Sequence, residues 1–300
     1  MNKVYQNGIA NGVEDLRLIS PEEIREIEPH CEGIGGIWVG CTGIIDYVAF
    51  TEKLAELLAG KSGGKVFLDT EALSFSKNDN HTVIKTNRGD FTAKYVVACA
   101  GLQSDRIARK EGTGTDAVIV GFRGDYYDLS EKGRSKVRNL IYPVPNPQFP
   151  FLGVHFTRMT GGGVECGPNA VFVFKREGYS KTAFSMKDTL DALTYRGTWK
   201  FFARHWHFGL DEYRGAFSKS YFLKRLQKLV PGLEAGDIVP ARAGVRAMAL
   251  TREGNMIDDF KIEAKDNAIH VLNAPSPAAT AALAIGNAIQ EMATRQFNLR

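Results

Sequence analysis

No run in this chain approaches the roughly 18 consecutive apolar residues that a helix needs to cross a bilayer, so a helical transmembrane protein is not expected. The first residues carry neither an apolar signal region nor a transit-peptide composition, and the expectation is a cytoplasmic protein, with peripheral attachment to a membrane left open. Charge of one sign is scarce as well. The formal net charge is only +4 over 300 residues, and its one concentration is a mildly basic face from Lys219 to Lys228, which argues against nucleic acid as a partner. Four cysteines, Cys31, Cys41, Cys99 and Cys166, show no CxxC spacing, so reduced, buried thiols are expected rather than a disulfide frame. A GxSxG elbow, a P-loop and an HExxH helix are all missing, which sets aside the hydrolase and nucleotidase classes built on them. His205-x-His207 could offer two imidazoles to a metal, but no carboxylate or thiol stands at metal-motif spacing, and no metal site is expected.

What is present reads as an α/β chain without internal repeats. Residues 1–19 are rich in turn signals (Asn7-Gly8, Asn11-Gly12) and show no strong hydrophobic period, so an irregular N-terminus is expected. Ser20-Pro21-Glu22-Glu23 supplies an N-cap, a first-turn proline and a capping-box glutamate. Short strands are expected at Gly35 to Val39 and Ile44-Ile45, then a helix capped by Asp46 that stops at Gly63-Gly64. Strand-like runs follow at Val66 to Leu68, Leu73 to Ser76 and Thr82 to Thr86, with a hairpin turn at Asn87-Arg88-Gly89-Asp90. Tyr95 to Gly101 is apolar on both faces, the pattern of a strand inside a parallel sheet, and a helix from Ser104 to Lys110 comes after it.

From Ala117 the character changes to short strands separated by turn signals: Val118 to Phe122, Asp125 to Leu129, Leu140 to Tyr142, Leu152 to Thr157, Val164 to Gly167 and Val171 to Lys175. Residues 185–230 read as two or three aromatic-rich helices closed by Pro231-Gly232, after which strands return at Ala243 to Leu250 and Ile257 to Ile262. Near the C-terminus, Ile269 to Leu272 reads as a buried strand, followed by a loop with two prolines and a smooth Ala-rich helix. Unpaired N–H groups and the positive dipole end at Ala278 to Thr280 would suit an anion or an electron-rich ring. The expected organisation is two interleaved parts, one over 46–115 and 241–300 and the other over 20–45 and 116–240.

Five strings carry a resemblance. They are Pro150-Phe151-Leu152-Gly153-Val154-His155-Phe156-Thr157, Gly167-Pro168-Asn169-Ala170-Val171, Phe174-Lys175-Arg176-Glu177-Gly178-Tyr179, Ala243-Gly244-Val245-Arg246-Ala247 and Asn273-Ala274-Pro275-Ser276-Pro277-Ala278-Ala279-Thr280. In this order and spacing, over about 20 to 295, they resemble the L-2-hydroxyglutarate oxidases and dehydrogenases of the FAD-dependent amino-acid-oxidase-like superfamily. The resemblance implies a mixed α/β fold in which 46–115 and 241–300 bind FAD and 20–45 and 116–240 form a substrate domain on a largely antiparallel sheet. It departs from the family at one point. The strand, Gly-x-Gly-x-x-Gly turn, helix and acidic ribose-binding residue with which members begin are not found, and Gly112-x-Gly114 and Gly161 to Gly163 stand in the wrong context to replace them. That turn is the main cradle for the FAD pyrophosphate.

The resemblance implies roles for particular residues. Ala100, Gly101 and Leu102 would meet the adenine side of FAD, and Asn273, Ala274, Pro275, Ser276, Pro277, Ala278, Ala279 and Thr280 would border the isoalloxazine ring, with Gly244 and Val245 also at the cofactor. Oxidising a 2-hydroxy acid moves a hydride to flavin while the hydroxyl loses its proton. His155 is the candidate base, since imidazole titrates near neutral pH. Arg123 and Arg246 are candidates to hold two substrate carboxylates, because the guanidinium fork binds a carboxylate by two bonds; Thr157 and Asn169 are further polar contacts. Three readings stay open: an oxidoreductase converting L-2-hydroxyglutarate to 2-oxoglutarate with an acceptor that the sequence does not name, a truncated or two-chain version of that enzyme, and a dicarboxylate-binding module without catalysis.

Overall fold

The computed structural model describes residues 1–61, 63–78, 80–145, 153–275 and 277–299, with the side chain of residue 61 left aside. Its first elements are α1 (Asn2–Ala10), β1 (Leu16–Ile19), α2 (Pro21–Ile27), β2 (Gly36–Val39) and α3 (Tyr47–Lys61). The Ser20 hydroxyl accepts from the Glu23 N–H at 3.3 Å while the Glu23 carboxylate accepts from the Ser20 N–H at 2.8 Å, so two orphan donors at the start of α2 are satisfied reciprocally. Asp46 does the same for α3, accepting from the N–H groups of Val48 and Ala49. Residues 1–19 are not irregular. A β-carbon on Gly8 would lie 2.5 Å from Leu16 Cδ2, so the glycine that looked like a turn residue is where β1 packs on α1. Ile44-Ile45 is exposed and forms no strand.

Next come β3 (Ala72–Asn78), β4 (His81–Thr86), β5 (Gly89–Ala93), β6 (Val96–Ala98), α4 (Ser104–Glu111) and β7 (Val118–Gly124). Val66 to Leu68, expected as a strand, is exposed chain leading into a turn. The chain continues through β8 (Tyr127–Leu129), α5 (Glu131–Arg134), β9 (His155–Arg158), β10 (Val164–Gly167) and β11 (Val171–Phe172). The expected Leu140 to Tyr142 strand survives as a single bridge from Ile141 to Phe156, and the beginning of the expected Leu152 to Thr157 strand lies outside the described residues. Helices α6 (Met186–Leu193), α7 (Arg196–Phe217, interrupted at His205) and α8 (Lys219–Leu226) follow, then β12 (Ile238–Pro240), β13 (Gly244–Leu250), β14 (Lys261–Lys265), β15 (Ala268–Asn273) and α9 (Ala282–Gln296). The fold class is the mixed α/β arrangement that was expected, with most registered strand pairs antiparallel.

Two compact units divide the chain, one of residues 1–66, 124–171 and 207–244, the other of residues 67–123, 172–206 and 245–300. Each is interleaved along the sequence, but 46–66, 116–123, 172–206 and 241–244 fall on the opposite side of the division from the sequence-based expectation, because packing rather than local composition sets the boundary. In the first unit, β12, β8, β10 and β9 form one antiparallel sheet, whose buried face carries Phe156, Cys166, Leu129 and Ile238. Phe222 and Leu226 of α8 belong to the same core, and each such fully buried side chain contributes about 1.5–3 kcal/mol.

In the second unit, β3, β4 and β5 form a meander, β7 lies between β11 and β13, and β15 lies between β14 and β6. β15 and β6 are parallel, with His270 opposite Ala98. The expectation that β6 occupies the middle of a parallel sheet is corrected: among the described strands it has this one neighbour, and Val97 is 45% exposed. All four cysteines are free. Cys31 and Cys166 are buried, and burial beside Glu28 pushes the Cys31 thiol up to about 11; Cys41 and Cys99 are exposed, contrary to expectation. No helix of the described residues is long and apolar enough to cross a membrane.

Candidate functional site

The parallel pairing of β15 with β6 decides where a cofactor can approach. Loops that follow two adjacent parallel strands emerge at the same edge of the sheet, and in α/β proteins that carboxyl edge is where ligands are received. Residues 99–102 leave β6 there and residues 274–280 leave β15 there. Both loops consist of small residues, prolines and one leucine, and much of each is exposed. Gly101 has φ +50, and no atom lies within 4 Å of where a β-carbon would stand, so its backbone can be approached closely. This open, small-residue edge fits an extended dinucleotide such as FAD. Ala274, Pro275, Pro277, Ala278, Ala279 and Thr280 are at that edge, whereas Ser276 lies outside the described residues.

Two details correct the reading of the 274–280 loop. The N–H groups of Ala278 and Thr280 are already bonded to the carbonyls of Pro275 (2.9 Å) and Pro277 (3.1 Å), in a short 3₁₀ turn that places the first residue of α9 at Ala282. These two N–H groups are therefore not open donors at a helix end. Asn273 is buried, and its amide donates to the carbonyls of Ile257 and Asp259, so it fastens the loop at its root.

Helix α4 is tied to β15 at both ends. The Ser104 hydroxyl donates to the Leu272 carbonyl at 2.7 Å, and at the other end Glu111 Oε2 lies 3.0 Å from His270 Nε2 and accepts from Thr113 at 2.7 Å, while Lys77 Nζ stands 2.6 Å from Glu111 Oε1. Burial opposes ionisation of Glu111, but hydrogen bonds from Lys77, Thr113 and His270 outweigh it and hold its carboxyl below the usual 4.5. A depressed carboxyl contributes stability above about pH 4.5 that is lost as the pH falls through its folded value. Glu111→Gln is therefore expected to lower Tm by several degrees at pH 7 and by less at pH 3, where the carboxylate's contribution is being lost. Thermal melts at the two pH values check this; an equal loss at both would show that the charge is irrelevant.

In the first unit, His155 and Thr157 share a face of β9 while Val154 and Phe156 point into the core, the two-residue period of a half-buried strand. His155 Nδ1 lies 3.0 Å from the Gly153 carbonyl, which can only accept, so Nδ1 carries the proton and Nε2 is the basic nitrogen of the neutral ring. Tyr142 stacks on that ring at 4.3 Å between centroids, and its hydroxyl lies 3.1 Å from that of Thr157. The sequence reading placed Tyr142 at the end of a short strand and did not bring it to His155. Asn169 is buried, accepting from the Asp125 N–H at 2.7 Å and donating to the Asp125 carboxylate at 3.1 Å, which directs its amide to the turn after β7. A cavity of about 450 Å³ opens beside this strand, lined by Pro143, Gly153, Val154 and, from α7 and α8, Glu212, Tyr221 and Arg225. None of the expected site residues lines it.

Arg123 and Arg246 are on the neighbouring strands β7 and β13. Arg123 is 4% exposed and donates from Nη1 to the Ser180 carbonyl at 2.9 Å; Arg246 is half-buried, as are Gly244 and Val245 at the start of the same strand.

The profile of the family described as FAD dependent oxidoreductase matches residues 1–292. L-2-hydroxyglutarate dehydrogenase of Indibacter alkaliphilus is 43% identical over 298 residues, which cover 99% of this chain and 74% of that protein. The mitochondrial L-2-hydroxyglutarate dehydrogenase of Mus musculus is 39% identical over 316 residues, covering 100% of this chain and 68% of that one. Among solved structures, the dithionite-reduced, FAD-bound L-alpha-glycerophosphate oxidase of Mycoplasma pneumoniae superposes with a TM-score of 0.73 at 22% identity, over 100% of this chain and 69% of that one, a likeness of fold.

Proposed function

The chain belongs to the FAD-dependent oxidoreductase family, alongside the L-2-hydroxyglutarate dehydrogenases, and from that membership we propose that it is an FAD enzyme that oxidises L-2-hydroxyglutarate to 2-oxoglutarate. The observation that carries the reading is the edge where β6 and β15 end side by side. There, residues 100–102 and 274–280 would hold FAD, and the first of these loops offers an open backbone at Gly101. When bound, FAD supplies a two-electron acceptor for the hydride that leaves the substrate α-carbon.

The chain's own residues have separate tasks. His155 Nε2 takes the proton from the substrate hydroxyl, with Gly153 fixing the tautomer and Tyr142 the ring plane. Arg123 and Arg246 hold the two carboxylates, and Thr157 is a polar contact oriented by Tyr142. The reading includes a 2-hydroxy dicarboxylate as the substrate class and a cytoplasmic location.

Loading the purified protein with FAD and adding L-2-hydroxyglutarate without oxygen tests the proposal. Bleaching of the flavin band with one equivalent of 2-oxoglutarate per flavin is expected, and the D-enantiomer should leave the band unchanged. A flavin-loaded protein that L-2-hydroxyglutarate does not bleach overturns the substrate assignment, and a protein that takes up no FAD overturns the cofactor assignment.

A further inference from the structure

We infer that Arg176 is a positioning residue, which ties the cofactor loop after β6 to the substrate arginine Arg123 through the short segment from Arg176 to Ser180. The inference rests on the functional reading above for what the two ends hold. Arg176 is 3% exposed and Asp105, in the first turn of α4, is 1% exposed. The guanidinium grips Asp105 with two parallel bonds, Nη2 to Oδ2 at 2.9 Å and Nη1 to Oδ1, and Nη1 also donates to the Leu102 carbonyl at 2.9 Å. Leu102 is in the loop whose Gly101 backbone lies open at the carboxyl edge of the sheet. One residue on, Glu177 accepts from Gln103 at 3.0 Å, a second bond to the same turn.

The far end of the segment is fixed to the substrate side. The Ser180 carbonyl accepts from Arg123 Nη1 at 2.9 Å. Between the ends the backbone is held as well: the Arg176 N–H donates to Asp188 at 2.9 Å, and Asp188 is paired with Arg106 of α4 at 2.7 Å. Asp105 also accepts from the Ile119 N–H of β7, the strand that carries Arg123. Five residues of chain, Arg176 to Ser180, thus connect a carbonyl of the cofactor loop to the guanidinium proposed to bind a carboxylate.

A buried ion pair is weak evidence for stability, since well-packed apolar residues often do as well. What apolar packing cannot supply is direction. The planar fork holds Asp105 and the Leu102 carbonyl in one plane, and a lysine, with a single point charge, can satisfy the charge but not that geometry.

Arg176→Gln and Arg176→Lys separate positioning from stability, with Lys136→Met as a control that breaks another ion pair to a buried carboxylate, Lys136 to Asp237 at 2.7 Å in the other unit. Tm, the Kd of the apoprotein for FAD by quenching of flavin fluorescence, and KM and kcat for L-2-hydroxyglutarate are measured. Arg176→Gln is expected to raise both the FAD Kd and KM by roughly 10- to 100-fold, with kcat per bound flavin within about threefold. Arg176→Lys should fall between it and the unaltered protein on both, and it is read in the same way should Arg176→Gln fail to fold. Lys136→Met should lose Tm while its FAD Kd stays within about twofold. Loss of Tm in the Arg176 variants with both constants unmoved overturns the inference, and so does a change in the FAD Kd with KM unmoved. If the unaltered chain binds FAD but leaves L-2-hydroxyglutarate untouched, the substrate reading fails; an unmoved FAD Kd in the Arg176 variants would then still overturn this inference.

Discussion

Replacing His155 by alanine should lower kcat by roughly 100- to 10,000-fold, the range over which a positioned base contributes to proton transfer. The expectation follows from the tautomer. Because the Gly153 carbonyl 3.0 Å from Nδ1 can only accept, the ring's proton stands on that side, and Nε2 is the nitrogen proposed as the base. The stacked Tyr142 ring limits rotation, so Nε2 is aimed before the substrate arrives. Any acid limb of kcat/KM that belongs to this base should be absent from the variant. FAD affinity should stay unchanged, since His155 is in neither cofactor loop. A variant that keeps more than about a hundredth of the rate would place the base elsewhere, because general-base catalysis is worth at least about two orders of magnitude.

How much of this could be read beforehand depended on the distance over which each signal acts. The Ser20 to Glu23 capping box and the Asp46 cap were legible because their partners lie within three residues. His155 and Thr157 could be placed on one strand face by period alone. Tyr142 could not, since it reaches Thr157 only after the chain has turned back on itself. The same holds for the Arg176 pair with Asp105, 71 residues apart.

The misread elements have a common cause: local residue types were taken at face value where a tertiary contact overrides them. Gly8 looked like a turn residue, but it is a helical position made small to receive Leu16. Val66 to Leu68 had a strand's composition and, among the described residues, no partner strand. At the 274–280 loop the prolines suggested a helix beginning at once; their carbonyls instead accept from Ala278 and Thr280, and the helix begins later. What could not be read locally at Asn169 is its partner: Asp125, 44 residues away, engages both ends of its amide.

Arg246→Met is expected to raise KM for L-2-hydroxyglutarate by roughly 30- to 1,000-fold, about 2–4 kcal/mol for the loss of a charge-assisted bidentate contact, with kcat changed little. Arg246 suits this measurement better than Arg123. Arg123 is 4% exposed and bonded to the Ser180 carbonyl, so its removal also empties a buried position and breaks that bond, and mixes folding with binding. A monocarboxylate substrate, L-2-hydroxybutyrate, then identifies which carboxylate each arginine meets. An arginine at the distal carboxylate has nothing to hold in this substrate, so its removal should leave the KM for L-2-hydroxybutyrate unchanged. Removing the arginine beside the reacting carbon should raise KM for both substrates by the same factor, because the carboxylate next to the hydroxyl is common to them. If Arg246→Met changes neither KM, Arg246 is not a substrate contact, and the dicarboxylate preference must come from other residues.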